Sequence, residues 1–331
     1  MSVEFTVFKG SKADGIVQAT TSRPEPTGIQ VLVRITHSGI CGTDEHFKHA
    51  DMALGHEGVG VVEKIGSAVS SLCVGDVVGW GYTHKTCGKC EQCLQGRDQY
   101  CTDREMYGTH SFDQGSFGTH AVWEETFLFR VPANLAPEHA APLMCGGATV
   151  FEVIESYNIR PTQRVGVAGI GGLGHLAVMF AAKMGAEVVV FSSSDSKREE
   201  AAQLGASEFH ATKGVTQFEN VRPLDHLIVT TSFIPSWAPY MTVMKPKGTI
   251  YPLTVSQDDL SFPSLPLIMG GINIQGSAIA ARSVHRRMLD FAARNHIEPM
   301  IEKFSMTKEG VEEGMARLRD GKVRYRAVLV V

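Results

Sequence analysis

The sequence predicts an α/β chain of two domains, one β-rich and one a doubly wound parallel sheet. Three observations carry this. The chain has 331 residues, more than a single core usually spans. Up to about Cys145 it runs in short alternating apolar segments broken by glycine, as short strands do. Beyond Cys145, continuous apolar runs alternate with segments of helical spacing, as strand–helix units on a parallel sheet do.

Residues 30–36 and 58–66 read as strands of the β-rich part, and 75–79 continues the pattern. In the second part, residues 165–170 read as a buried strand, 173–184 as a helix, 187–191 as a strand and 196–204 as a helix. Later strands are expected at 225–230, 248–253 and 272–276. Helices at 284–294 and 308–319 and a strand at 325–331 return to the first domain. The expected domains are therefore 1–146 with 277–331, and 147–276.

With 43% hydrophobic and 20% charged residues, the composition is that of ordinary globular protein. The net charge of −4 and the lack of a basic stripe argue against nucleic acid as a partner. Arg317, Arg319, Arg324 and Arg326 form the densest basic cluster and read as a solvated helix end. No membrane span is expected, because the most apolar stretch, 176–191, is broken by Lys183, Gly185 and Glu187. The first ten residues lack a secretory pattern, so a reducing cytoplasm is the expected compartment. Clustered cysteines there favour metal over disulfides.

Six of the seven cysteines fall into two groups. Cys87, Cys90, Cys93 and Cys101 have the spacing C-x2-C-x2-C-x7-C, and four thiolates close a tetrahedral zinc site, so this one is structural. Cys41, His56 and Cys145 lie in glycine-rich contexts, and two thiolates with one imidazole leave a fourth position for water or substrate. Two zinc ions per chain are expected. Cys73 matches neither group and reads as a small core residue.

Gly169, Gly171 and Gly174 stand in G-x-G-x-x-G order between an expected strand and an expected helix, with Gly172 and Leu173 inside the turn. That context is the one a dinucleotide site requires, with the pyrophosphate at the helix N-terminus. At the end of the next strand, where an acidic residue usually bonds the ribose 2′-hydroxyl, stand Ser192, Ser193 and Ser194, followed by Lys197 and Arg198. Hydroxyls beside a lysine suit a 2′-phosphate, so NADP(H) is the expected cofactor, with Asp195 read as an N-cap.

On these motifs the chain resembles the zinc-dependent medium-chain alcohol dehydrogenases, and within them the cinnamyl alcohol dehydrogenase branch. Gly55-His56-Glu57, the four-cysteine lobe, the glycine turn ending in His175, the serine run and the closing Val323-Arg324-Tyr325-Arg326 occur in the family's order over essentially the whole chain. The resemblance implies a GroES-like catalytic domain with a Rossmann nucleotide-binding domain, and a homodimer joined through the latter. It implies Cys41, His56 and Cys145 as catalytic zinc ligands, and Glu57 behind them. It implies Asp44 bonding the other ring nitrogen of His56, Thr43 touching the substrate oxygen, His46 passing its proton to solvent, and Thr149 touching the nicotinamide. The reaction implied is hydride transfer between the nicotinamide and a primary alcohol or aldehyde with an apolar or aromatic body.

The chain also departs from the family. Only 14 residues separate Cys41 from His56, several fewer than usual, and Ala278 stands where the branch often has an aromatic. Both open the substrate channel. Trp80 and Trp123 are either pocket walls or ordinary core. Two other functions stay open at this stage: a reductase of iminium or conjugated C=C bonds on the same scaffold, and a non-catalytic nucleotide sensor. Retention of Cys41, His56, Cys145, Thr43 and His46 argues against both.

Overall fold

A computed structural model describes residues 2–13 and 15–331. The chain divides into two compact units, residues 1–148 with 279–331, and residues 149–278. No helix among the described residues is long and apolar enough to cross a membrane.

The first unit is built on a seven-stranded sheet. Its order is Ile301–Ser305, Arg326–Val330, Gln30–Ile40, Gly58–Ile65, Val77–Trp80 and Phe129–Arg130, with His120–Glu124 also paired to Gln30–Ile40. Gln30–Ile40 and Gly58–Ile65 run antiparallel with Ser38 opposite Gly58. That register brings the residues just beyond Ile40 beside those just before Gly58. The closing segment forms a strand, a helix at Lys308–Arg319 and a strand parallel to the first, Arg326–Val330. Thr307 caps the helix, its hydroxyl accepting the Gly310 N–H.

The second unit holds a six-stranded sheet in the order Glu208–Ala211, Glu187–Ser192, Arg164–Ala168, Leu224–Val229, Met244–Pro252 and Asn273–Ile274. Every neighbouring pair is parallel. The first strand of this unit, Arg164–Ala168, is buried throughout, as a central parallel strand with both faces covered must be. The helix Gly174–Met184 follows it and ends on Gly185 in the left-handed region at φ 96°.

Several expectations change. The strand expected at 272–276 shrinks to Asn273–Ile274. The helix expected at 196–204 is a turn, Asp195–Lys197, leading into a helix at Arg198–Gln203. Its cap is Ser194, whose hydroxyl accepts the Ser196 N–H, while Asp195 pairs with Arg198. Cys73 is not core: it is exposed in a turn, with its N–H bonded to Asp76. Trp80 and Trp123 pack in the core, 1% and 5% exposed, in one cluster with Val31, Val33, Val62 and Val78. Ala278 is exposed. Arg326 does not belong with a solvated helix end, since it opens the closing strand and is 2% exposed.

Candidate active site

Cys41 ends the long strand as the N-cap of a short helix, Gly42–His46, and His56 and Glu57 immediately precede the paired strand. Cys145 comes from a different place, a π-helical turn at Leu143–Gly147. An extra residue in a helical turn re-aims a side chain, and such turns gather at functional sites. One ligand atom each from Cys41, His56, Glu57 and Cys145 lies within 4.8 Å of all the others.

Asp44 organises two of these residues. One oxygen accepts the Cys41 N–H at 2.8 Å, and the other bonds His56 Nδ1 at 2.9 Å. His56 is fully buried, and its Nε2 makes no hydrogen bond. A buried ring nitrogen with no partner, beside two thiols and with its other nitrogen fixed by a carboxylate, is the donor arrangement zinc requires. Burial alone would lower the His56 pKa, but the charge and hydrogen bond of Asp44 outweigh it and the net shift is well upward. The Cys145 hydrogen bond lowers the Cys41 pKa well below a thiol's ordinary range, against its burial. The same bond, together with burial, pushes Cys145 well up.

Glu57 has two cationic or polar partners that sequence reasoning did not name. Arg326 Nη2 donates to both of its carboxylate oxygens, and the Gly146 N–H reaches Oε1 at 3.3 Å. Gly39 makes room for this carboxylate, since a Cβ there would lie 1.9 Å from Oε2. Burial drives the Glu57 pKa up to about 7, with Arg326 opposing the rise. Burial also disfavours the Arg326 charge, but Glu57, Cys41 and Cys145 outweigh it and keep the guanidinium charged. The one available signal was an arginine entering the apolar run Ala327-Val-Leu-Val330.

Thr43 is half-buried with its hydroxyl 3.8 Å from the Cys41 sulfur, and His46, one turn on in the same helix, is exposed. Two tyrosines missed by the sequence reading flank His56. The Tyr107 ring lies 4.6 Å from it, and that of Tyr82 meets it edge-on at 5.4 Å. Burial first, then the Cys145 and Cys41 charges, raises the Tyr82 pKa.

The second cysteine group also assembles. The ligand atoms of Cys87, Cys90, Cys93 and Cys101 cluster within the same 4.8 Å limit, and all seven cysteines are free thiols. The Cys90 N–H donates to the Cys87 sulfur at 3.3 Å, the kind of contact that stabilises a thiolate. The Lys89 and Cys90 N–H groups lower the Cys87 pKa to about 7. Asp98, buried between Cys93 and Cys101, ties the lobe to Arg282 at the start of the helix Arg282–Asn295.

In the second unit the glycine turn stands at the end of Arg164–Ala168. Gly169 turns at φ 91°, and nothing lies within 4 Å of the Gly171 Cβ direction, so a phosphate has close access to the backbone there. Gly172 and Leu173 complete the turn before Gly174 opens the helix. Lys197 Nζ donates to the Ile170 carbonyl at 2.8 Å, so this lysine already sits over the turn. Ser192 is buried at its strand end, whereas Ser193 and Ser194 are exposed. Thr149 is half-buried in the first turn of the helix Ala148–Ser156.

Residues 27–133 match the alcohol dehydrogenase GroES-like domain, and residues 172–294 match the zinc-binding dehydrogenase domain. A probable formaldehyde dehydrogenase of Bacillus subtilis is 35% identical over 94% of this chain and 93% of its own length. A cinnamyl alcohol dehydrogenase from Sorghum bicolor superposes with a TM-score of 0.92 at 32% identity, covering 99% of this chain and 98% of that one. A CAD from Helicobacter pylori, solved complexed with NADP(H), superposes with a TM-score of 0.90 at 26% identity, covering 100% of this chain and 99% of that one. With its GroES-like and Rossmann domains and its Cys41, His56 and Cys145 gathered about one point, the chain belongs to the zinc-dependent medium-chain alcohol dehydrogenases, in their cinnamyl alcohol dehydrogenase-like branch.

Proposed function

We propose that this chain is an NADP(H)-dependent zinc alcohol dehydrogenase that works mainly as an aldehyde reductase in the cytoplasm, on primary alcohols and aldehydes with apolar or aromatic bodies. The observation that carries the reading is the buried His56 Nε2, without a hydrogen bond and held by Asp44 between Cys41 and Cys145. Zinc and the nicotinamide, when bound, supply Lewis acidity toward the substrate oxygen and the donor or acceptor of hydride.

The chain's own residues do the rest. Asp44 fixes the tautomer and angle of His56. Arg326 anchors the Glu57 carboxylate behind the ligands, so that it is at hand during ligand exchange. Thr43 Oγ1, beside Cys41, relays the substrate's hydroxyl proton, taking it as its own hydroxyl proton passes on toward the exposed His46, which delivers it to water. In the reductive direction the same path supplies the proton. Four sulfurs in the lobe Cys87–Cys101 would hold the structural zinc.

Two features support the choice of NADP(H). The strand end at Ser192–Ser194 offers hydroxyls and no carboxylate, and the similar Helicobacter pylori protein is complexed with NADP(H). A homodimer joined through the nucleotide domains is supported by the helix Ser264–Gly270, where Leu265, Ile268 and Met269 are 69–78% exposed. This helix leads into the edge strand Asn273–Ile274. An apolar helix beside an unpaired strand edge favours a second copy.

Metal analysis should find about two zinc ions per chain, and Cys145→Ser should remove one of them, abolish turnover and leave NADPH binding intact. Retained turnover would contradict the ligand role of Cys145. Ser193→Asp should shift preference toward NADH by at least about tenfold through repulsion of the 2′-phosphate, and an unchanged ratio would refute the reading of the serine run. Light scattering should give about twice the chain mass of 35.9 kDa, falling to a single chain in the Ile268→Asp/Met269→Asp variant. A monomeric parent protein would rule the dimer out.

A further inference from the structure

We propose that Tyr107 is a positioning residue for the catalytic metal: it clamps the short segment that carries Cys41, Asp44 and His56, acting chiefly through the Gly55 N–H beside His56. This rests on the reading that Cys41, His56 and Cys145 hold zinc.

Tyr107 is 1% exposed and lies far along the chain from the residues it touches. Its hydroxyl accepts the Gly55 N–H at 3.1 Å. Its ring tilts over His56 at 4.6 Å and receives Phe47 edge-on at 5.3 Å. Phe47, Gly55 and His56 all belong to the stretch from Cys41 to His56, whose intervening 14 residues make a short ligand-bearing link. One side chain thus braces the middle and the end of that link.

Asp44 fixes one side of the His56 ring through Nδ1. The Tyr107 hydroxyl, reaching in from outside the link, supplies the acceptor for the buried Gly55 N–H next to His56. Without it that N–H has no partner, and the backbone carrying the His56 ring is free to rock. A partner standing behind a metal-ligating histidine typically contributes about 10–100-fold to metal affinity.

The test is Tyr107→Phe, which keeps the ring against His56 and Phe47 and removes only the hydroxyl. Zinc affinity of the Cys41/His56/Cys145 site is measured by competition with a chromophoric chelator, and the four-cysteine zinc of the same molecule reports that the variant is folded. The variant should bind the catalytic zinc about tenfold or more weakly, keep the four-cysteine zinc, and regain turnover when zinc is supplied in excess. Tyr107→Leu, which also removes the ring from His56 and Phe47, should weaken catalytic-site binding further. Catalytic-site affinity within twofold of the parent, or an equal loss at the four-cysteine site, would overturn the proposal. A parent chain holding a single zinc would instead remove the metal reading, and this inference with it.

Discussion

Asp44 has no exposed surface, and its two oxygens accept from the Cys41 backbone and bond the His56 ring. Burying an ionised carboxylate is costly unless every lone pair finds a donor. The short helix Gly42–His46 supplies this geometry by placing Asp44 one turn from its own N-cap, so one carboxylate fixes the entry of the helix and the tilt of a ligand at once. The antiparallel register of Gln30–Ile40 with Gly58–Ile65 then fixes where that helix begins relative to His56. The remaining parts of the site are arranged around this contact: Cys145 on a π-helical turn, Tyr82 and Tyr107 against the imidazole, and Thr43 beside the Cys41 sulfur.

A second buried charge sits directly behind. Glu57 and Arg326 form a dry ion pair, and removing one partner of such a pair leaves the other uncompensated, at a cost of about 3–5 kcal/mol. The placement adds a positive charge near two thiols and keeps the closing strand Arg326–Val330 locked to the site. The C-terminal segment is therefore tied to the chemistry although it contributes no ligand. In the same way, Asp98 and Arg282 tie the four-cysteine lobe to a helix of the same unit.

Much of this was legible in the sequence because it rests on local rules. Alternation against continuous apolar runs separated the two kinds of sheet, and the glycine turn carried its own geometry. The cysteine spacings separated a closed site from an open one. What was not legible depends on partners distant in sequence. Arg326 finds Glu57 across 269 positions, so a cluster of arginines near a helix end concealed a core residue. Tyr107 carries no motif at all. Ser194 and Asp195 are equally good caps by type, and the backbone chose Ser194, which lies in the extended region at φ −146°. Trp80 and Trp123 were ambiguous because an indole fills a core or walls a pocket equally well, and neighbouring valines decided for the core. Cys73 followed the general preference of thiols for burial, but its turn at Asp76 keeps it outside.

The central claim is that this chain holds two chemically different metal centres and that Asp44 orients the nitrogen ligand of one. Cadmium-113 NMR of the cadmium-loaded protein tests it most directly, because the shift of that nucleus reports the sulfur and nitrogen donors around it. The account predicts two resonances of equal intensity, one in the range of four thiolates and one in that of two thiolates with an imidazole. Only the second should move or broaden in Asp44→Asn. A single resonance, or two all-sulfur resonances indifferent to Asp44, would contradict it.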